Sequence, residues 1–586
     1  MRIRDLMGGI SHYRKVLTLC MSLIISYSLS AQEFVGNMHN VSEDRRKVDA
    51  RIINSCIPVS PSFHTYHDYT QYIPNPSNIS IPIRINLIFV QRNDGSGNFQ
   101  EGNDEHQYYL DLAMEHLNTI YANLVQDTDS PYCYVGDSFV SNAKIRFVDH
   151  RYYIRCEEGW SSYNAGLSPG YNYHLGYLDT QIRQCDTIPS GINVYFTEYV
   201  QNYIQYENGD TTNYIGYGNG CSYYPVYNNM NFSSCTFMSE YYSQYWCKVW
   251  LEHPNATESE HAAYLLEYSK WLARGLAHEL GHSVHLYHHD YYQYAEDPFK
   301  ECSNSIMNYS GKGKRNFLSP NQIGTIHYAL MGSNLQNYVP ENAYSGTKIV
   351  EGNVSFPRMR FYHSLSIQAD VTMNCEAIMP EQAIIHLQNG GNLTIDGGSL
   401  HSITDKWKGI IVENGSTLIM SNTSILDYNI VVENGGTLVV EDDITLSGEH
   451  YIRVKNGGCI CIDENATVTL TNTFSVIELY PNALLGCNNM TSAHCVSDIE
   501  DILITGNGQI ATYDNDTYIQ NETISTERLA TGSSVLAGYN VTDQKPVGNV
   551  VVTSSGDLRI QAIGDVTITR DVEVQQGGSL TIQTNP

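Results

Sequence analysis

Positive charge is what this chain has least of. Its 586 residues carry 33 lysines and arginines against 62 aspartates and glutamates, a formal net charge of −29. A protein that reads phosphate backbones needs a basic face, so nucleic acid is excluded as a partner. Charge of either sign is sparse, at 16% of residues, while 42% are hydrophobic, which excludes a disordered polyelectrolyte. Long apolar runs are also missing. Beyond residue 31 no segment approaches the roughly 18 consecutive apolar residues of a membrane-spanning helix.

What the N-terminus does hold reads as an address. Arg2, Arg4, Arg14 and Lys15 precede the apolar run from Val16 to Ile25, and the small residues Ser28 to Ala31 follow. A charged region, a short hydrophobic core and a cleavage zone describe a signal peptide over 1–31. The run is too short for a comfortable membrane anchor, so the chain is expected to be secreted, extracellular or at the cell surface. Of 14 cysteines, Cys20 lies in that signal and 13 remain. Secreted chains pair their cysteines, so an odd count leaves one over.

Residues 32–80 are polar and weakly patterned, with Arg45-Arg46-Lys47 and several prolines, and read as a pro-segment or linker. From 81 to 335 the pattern changes. Ile81–Val90 alternates like a half-buried strand, and strand-like runs recur at Ala143–Val148 and Ile192–Phe196. Gln107–Val125 and about His261–Val284 carry apolar residues at helical spacing. Strands mixed with long helices predict an α/β (α+β) domain.

Past residue 339 the helical signal disappears and a loose repeat replaces it. Asn389-Gly-Gly, Asn414-Gly-Ser, Asn434-Gly-Gly and Asn456-Gly-Gly each lead into a short alternating run, with a late echo at Gln576-Gly-Gly. The spacing of about 20 to 25 residues is that of solenoid coils. Asn-Gly favours a tight turn with positive φ, and the alternation after it makes a strand. The expectation is an all-β, right-handed parallel β-helix over 340–497, with further β-rich repeats over 498–586. The alternative is a set of hairpins in a sandwich, which the shared phase of the repeats argues against.

Chemistry concentrates in Ala277-His-Glu-Leu-Gly-His-Ser-Val-His-Leu-Tyr-His-His-Asp290, which packs five histidines into twelve residues. His278-Glu-Leu-Gly-His282 is an H-E-x-x-H motif. Histidines four apart stand one turn above each other on one helix face, so both imidazoles reach one ion. Glu279 lies about 100° round the helix, where it addresses a water on that ion rather than the ion itself. A zinc ion with nitrogen ligands lowers the pKa of that water to about 7, and Glu279 takes its proton as general base. A catalytic zinc needs a third ligand. His285 is about two turns from His278, roughly 10 Å along the axis, too far for an imidazole to close. His288 reaches the ion if the helix stops near His285 and the chain swings back. His289 has no assigned role. Asp290 either orients an imidazole or is solvated.

At this point the sequence resembles the metzincin metalloproteases, whose extended motif H-E-x-x-H-x-x-G-x-x-H is followed by a methionine turn. His278 to His288 matches every required position but one. Cys302-Ser-Asn-Ser-Ile-Met-Asn-Tyr309 is similar to the methionine turn and its nearby cysteine in the pappalysin-like branch. The resemblance covers roughly 81–335. It implies a zinc endopeptidase with its cleft between two subdomains, a protein or peptide substrate, and a closing helix over Leu318–His327. It implies Met307 as a hydrophobic base beneath the site. It also implies Tyr309 near the metal, where its hydroxyl stabilises an oxyanion. In so tyrosine-rich a chain, ordinary packing is the other reading of Tyr309.

The departure is His285, where the family has a glycine that turns the backbone. Histidine is enriched among non-glycine residues at positive φ, so the turn is expected to survive at a strain of about 1–2 kcal/mol. Cys56 precedes the domain and has two readings. It is either a latency cysteine whose thiolate occupies the zinc, or a cysteine in a disulfide or buried. The β-repeats suit contact with a cell surface or polysaccharide. One zinc ion is the expected cofactor, and no motif supports calcium. The competing function is a non-enzymatic surface- or matrix-binding solenoid with a degenerate metal site. A zinc hydrolase of a non-peptide amide is a third.

Overall fold

The computed structural model of the chain describes residues 67–128, 132–156, 188–197, 255–288, 302–308, 314–404, 407–422, 425–486, 495–513 and 515–584. It also describes positions 56, 58 and 60, and the backbone alone of six short strands between 201 and 238. The expected signal segment lies outside these residues.

The N-terminal part is built on a five-stranded sheet. Its strands are β1 (Ile81–Gln91), β2 (Ile145–Arg155), β3 (Ile192–Thr197), β4 (Gly220–Ser222) and β5 (Ser234–Met238), in the order β2-β1-β3-β5-β4. Every neighbouring pair is parallel except β4 with β5, so the sheet ends on an antiparallel strand. Alternation gives β1 two buried faces. Ile81, Ile83, Ile85, Leu87 and Phe89 enter the main core, while Ile88 and Val90 pack with Tyr195 on the other side.

Two long helices cover the main-core face. Helix α1 (Asp104–Ala122) starts where the Asn103 side chain accepts from the Glu105 and His106 backbone N–H groups. Helix α2 (Glu258–Ser283) starts in a capping box between Thr257 and Glu260. Two tyrosines of α1 stitch it to α2: the Tyr109 hydroxyl donates to the Tyr268 carbonyl at 3.1 Å and Tyr121 to Ala277 at 2.8 Å. Helix α3 (Pro320–Gly332) has Ser319 as its cap and proline in its first turn.

From Thr347 onward the chain winds as a parallel β-solenoid. One sheet stacks eight strands from Thr347–Val350 to Gln509–Thr512, and a second stacks seven from Val354–Phe356 to Leu484–Leu485. Partners are about 20 residues apart and parallel, so the hairpin alternative is set aside. The inward residues form apolar ladders. Leu365, Ile385, Ile410, Ile430, Ile452 and Ile477 stand opposite one another on successive coils, each almost fully buried. Residues 517–584 form a second, shorter stack of three three-stranded sheets with its own core around Ile519, Val535, Val550 and Ile560.

The Asn-Gly turns are stacked as well. Gly415, Gly435 and Gly457 have φ near +77°, and the Gly435 N–H donates to the Gly457 carbonyl of the next coil at 2.8 Å. A Cβ on Gly435 would stand 2.2 Å from Oδ1 of Asn414, and one on Gly457 2.5 Å from Oδ1 of Asn434. Each asparagine therefore lies over the glycine of the following turn.

One hydrophobic core runs from Tyr72 through α3 into the coils as far as Ile502. The segment 67–80, expected to belong to a linker or pro-segment, is woven into this junction. Lys348 Nζ donates to the Ile73 carbonyl at 3.0 Å, Asn75 Nδ2 to Thr347 at 2.7 Å, and the Ile79 N–H to Ser345 at 2.8 Å. Tyr72 packs between Tyr328 of α3 and Phe356 of the first coil. Cys56 is disulfide-bonded to Cys375 of the solenoid. A sulfur committed there cannot serve as a latency thiolate, and that reading of Cys56 is corrected to the disulfide one.

Candidate metal centre

Helix α2 brings His278 and His282 to one face, with ring centroids 4.9 Å apart. The helix then ends in a turn of the Schellman type. The Leu286 N–H donates to the Gly281 carbonyl at 2.8 Å and the His285 N–H to His282 at 2.9 Å. His285 takes φ +76°, the left-handed conformation that glycine would adopt freely. The turn survives the substitution, and the chain swings back far enough to bring His288 to the helix.

The three rings then converge. His288 Nε2 lies 2.9 Å from His278 Nε2 and 3.0 Å from His282 Nε2. The outer nitrogens are held by backbone carbonyls: His278 Nδ1 by Ile306 at 2.8 Å and His282 Nδ1 by Leu286 at 2.7 Å. Burial pushes both histidines well below their ordinary range, His282 to about 3, with the neighbouring imidazole the second cause in each. Both are therefore neutral near pH 7. A carbonyl only accepts, so each Nδ1 carries the hydrogen and each Nε2 presents a lone pair. Two lone pairs thus point at one nitrogen of His288, which can donate a hydrogen to only one of them. A cation between the three satisfies all of them. Nitrogens bound to a tetrahedral zinc at 2.0–2.1 Å stand about 3.3 Å apart, close to the spacing here. These three are the one group of metal-ligating side chains found among the described residues.

Glu279 follows His278 on the helix, buried at 8% exposure and outside the converging set. Met307 is fully buried beneath the helix. Its approach explains a residue that sequence reasoning passed over. A Cβ on Gly281 would stand 2.5 Å from Met307 Sδ, so glycine inside the motif lets the turn below reach the helix. The carbonyls of Ile306 and Leu286 were not identifiable either, since no side-chain signal marks them. Arg315 bridges the same parts, donating to the Arg274 carbonyl at 3.4 Å and to Asn308 at 3.2 Å. Cys302, at the head of the turn, is disulfide-bonded to Cys133. Tyr309, His289 and Asp290 lie outside the described residues. His285 is not a ligand. Its Nε2 lies 2.9 Å from the Tyr287 hydroxyl instead.

No family model, curated protein or solved structure matches the chain.

Proposed function

We propose that this chain is a secreted zinc-dependent endopeptidase of metzincin type. The observation that carries the proposal is the convergence of three histidine nitrogens beside a buried glutamate that is not one of the ligands. Three ligands and an open position are the donor set of a catalytic zinc rather than a structural one. A zinc ion held by His278, His282 and His288 would supply a Lewis acid to polarise the scissile carbonyl and acidify the attacking water. Glu279 takes the proton of that water and returns it to the departing amine. The metzincin resemblance would give Tyr309, outside the described residues, the role of donor to the oxyanion on the former carbonyl. Strand β4 is one of the two outer strands of the sheet order, and its neighbour β5 is antiparallel to it. An extended peptide laid along it would add a strand and be held by backbone hydrogen bonds. The disulfides suit an oxidising compartment, and no helix of the described residues is long and apolar enough to cross a membrane.

The test uses the chain from residue 32 onward, because the core continues from the α/β part into the solenoid. One zinc per chain and cleavage of casein that a chelator abolishes are expected. Glu279→Ala should retain the zinc and lose activity by about 10²- to 10⁴-fold. Stoichiometric zinc with no cleavage of any unfolded protein would refute the peptidase and favour a surface-binding solenoid.

A further inference from the structure

We infer that His285 and Tyr287 form a side-chain clamp that positions His288 as the third metal ligand. The inference rests on the metal-binding reading of the three histidines and is independent of the peptidase reading. The backbone of the turn gives no reason for a histidine. Its two hydrogen bonds, Leu286 to Gly281 and His285 to His282, use main-chain atoms that a glycine would offer equally. A glycine would also adopt φ +76° without strain. The side chain must therefore offset that strain. It is 1% exposed, with its Nε2 2.9 Å from the Tyr287 hydroxyl and the two rings edge to face at 5.3 Å.

The clamp spans the two residues immediately before the ligand. Leu286 is tied by its carbonyl to His282 Nδ1, and Tyr287 by its hydroxyl to His285. The backbone of 286–288 has no helix or strand of its own, so these bonds hold its course. Anchoring Tyr287, the residue next to the ligand, limits the directions in which His288 can point. His288 is there within 3.0 Å of both helix histidines. A ligand already held in place loses less freedom when the ion binds. The clamp therefore belongs to metal affinity. His285 and Tyr287 are positioning residues and touch no substrate.

The experiment measures zinc dissociation constants by chelator competition on the chain from residue 32. The variants are Tyr287→Phe, His285→Asn and the two combined. Asparagine adopts positive φ readily, so His285→Asn keeps the turn and removes the clamp. Each single change should weaken zinc about three- to tenfold, the scale of one hydrogen bond. The double variant should be no weaker than either single one, because both remove the same interaction. The visible absorption of the cobalt-loaded chain, which reports ligand geometry, should shift in all three. A Tyr287→Phe variant within twofold of the unmodified chain, with an unchanged cobalt spectrum, overturns the clamp while leaving the centre. Fully additive losses in the double variant also overturn it. Absence of stoichiometric zinc from the unmodified chain overturns the metal centre and the clamp together.

Discussion

Gly281 shows how a single residue serves the site without any chemistry of its own. In an isolated helix, alanine at this position would be favoured by about 1 kcal/mol. Here the added methyl would meet Met307 Sδ at 2.5 Å and the Tyr121 hydroxyl at 3.5 Å. Overpacking of that kind costs typically about 1–3 kcal/mol. It therefore matches or exceeds the propensity gain. Gly281→Ala should lose up to about 2 kcal/mol of stability in urea unfolding and retain less zinc. A gain in stability would mean that Met307 yields and does not act as a floor. His285 is the converse case, a residue that costs strain in the backbone and returns a partly buried hydrogen bond through its side chain.

At the scale of the element, the solenoid is held by apolar ladders, and a charged pair stands in the row beside them. Arg453 on Tyr451–Val454 stands opposite Glu478 on Val476–Leu479 and pairs with it, with Glu478 1% exposed. The guanidinium lies over the Tyr451 ring at 4.3 Å and near Tyr480 at 5.9 Å. A buried pair is weak evidence for stability as such, but breaking it leaves an uncompensated charge. Arg453→Met should cost about 3–5 kcal/mol in chemical denaturation. Adding Glu478→Leu should recover most of that loss. If the double variant stays as unstable as the single one, the pair is a net stabiliser and the desolvation argument fails here.

At the scale of the molecule, the junction between the α/β part and the coils is where histidine titration bears on stability. Around it His327 of α3, His363 and Lys348 are all buried. Desolvation pushes His327 down to about 4 and His363 to about 3, with the Lys348 charge adding to both; the His327 bond to Ala143 opposes. Both folded values lie below the ordinary 6.5 of an unfolded histidine. The unfolded chain therefore binds protons first, and stability falls as pH drops from 6.5 toward 3. Above pH 6.5 these two groups leave stability unchanged. The melting temperature should decline steadily between pH 6.5 and 4, and His363→Gln should flatten that slope. An unchanged slope in the variant would assign the acid sensitivity to other groups.

Much of this was legible in the chain, and the reason is periodicity. The strands from Ile81 and Ile192, both long helices and the phase of the Asn-Gly repeats are local patterns that a residue's neighbours determine. His278, Glu279 and His282 are local in the same sense, since one helix face sets their spacing. His288 was legible only through the argument that the helix must stop, which the turn at His285 bears out. The rest depended on contacts between distant segments. Nothing near Cys56 points to Cys375, 319 residues away, and nothing near Gly281 points to Met307. The weave of 67–80 into the solenoid junction and the Ile306 carbonyl behind His278 are also non-local. The sequence alone therefore determined the elements and the pairing of His278 with His282, because both follow from spacing along one helix or strand. Only the tertiary structure decided that the Ile306 carbonyl orients His278, and that the solenoid and the α/β part share one core, because both require segments far apart in the chain to pack.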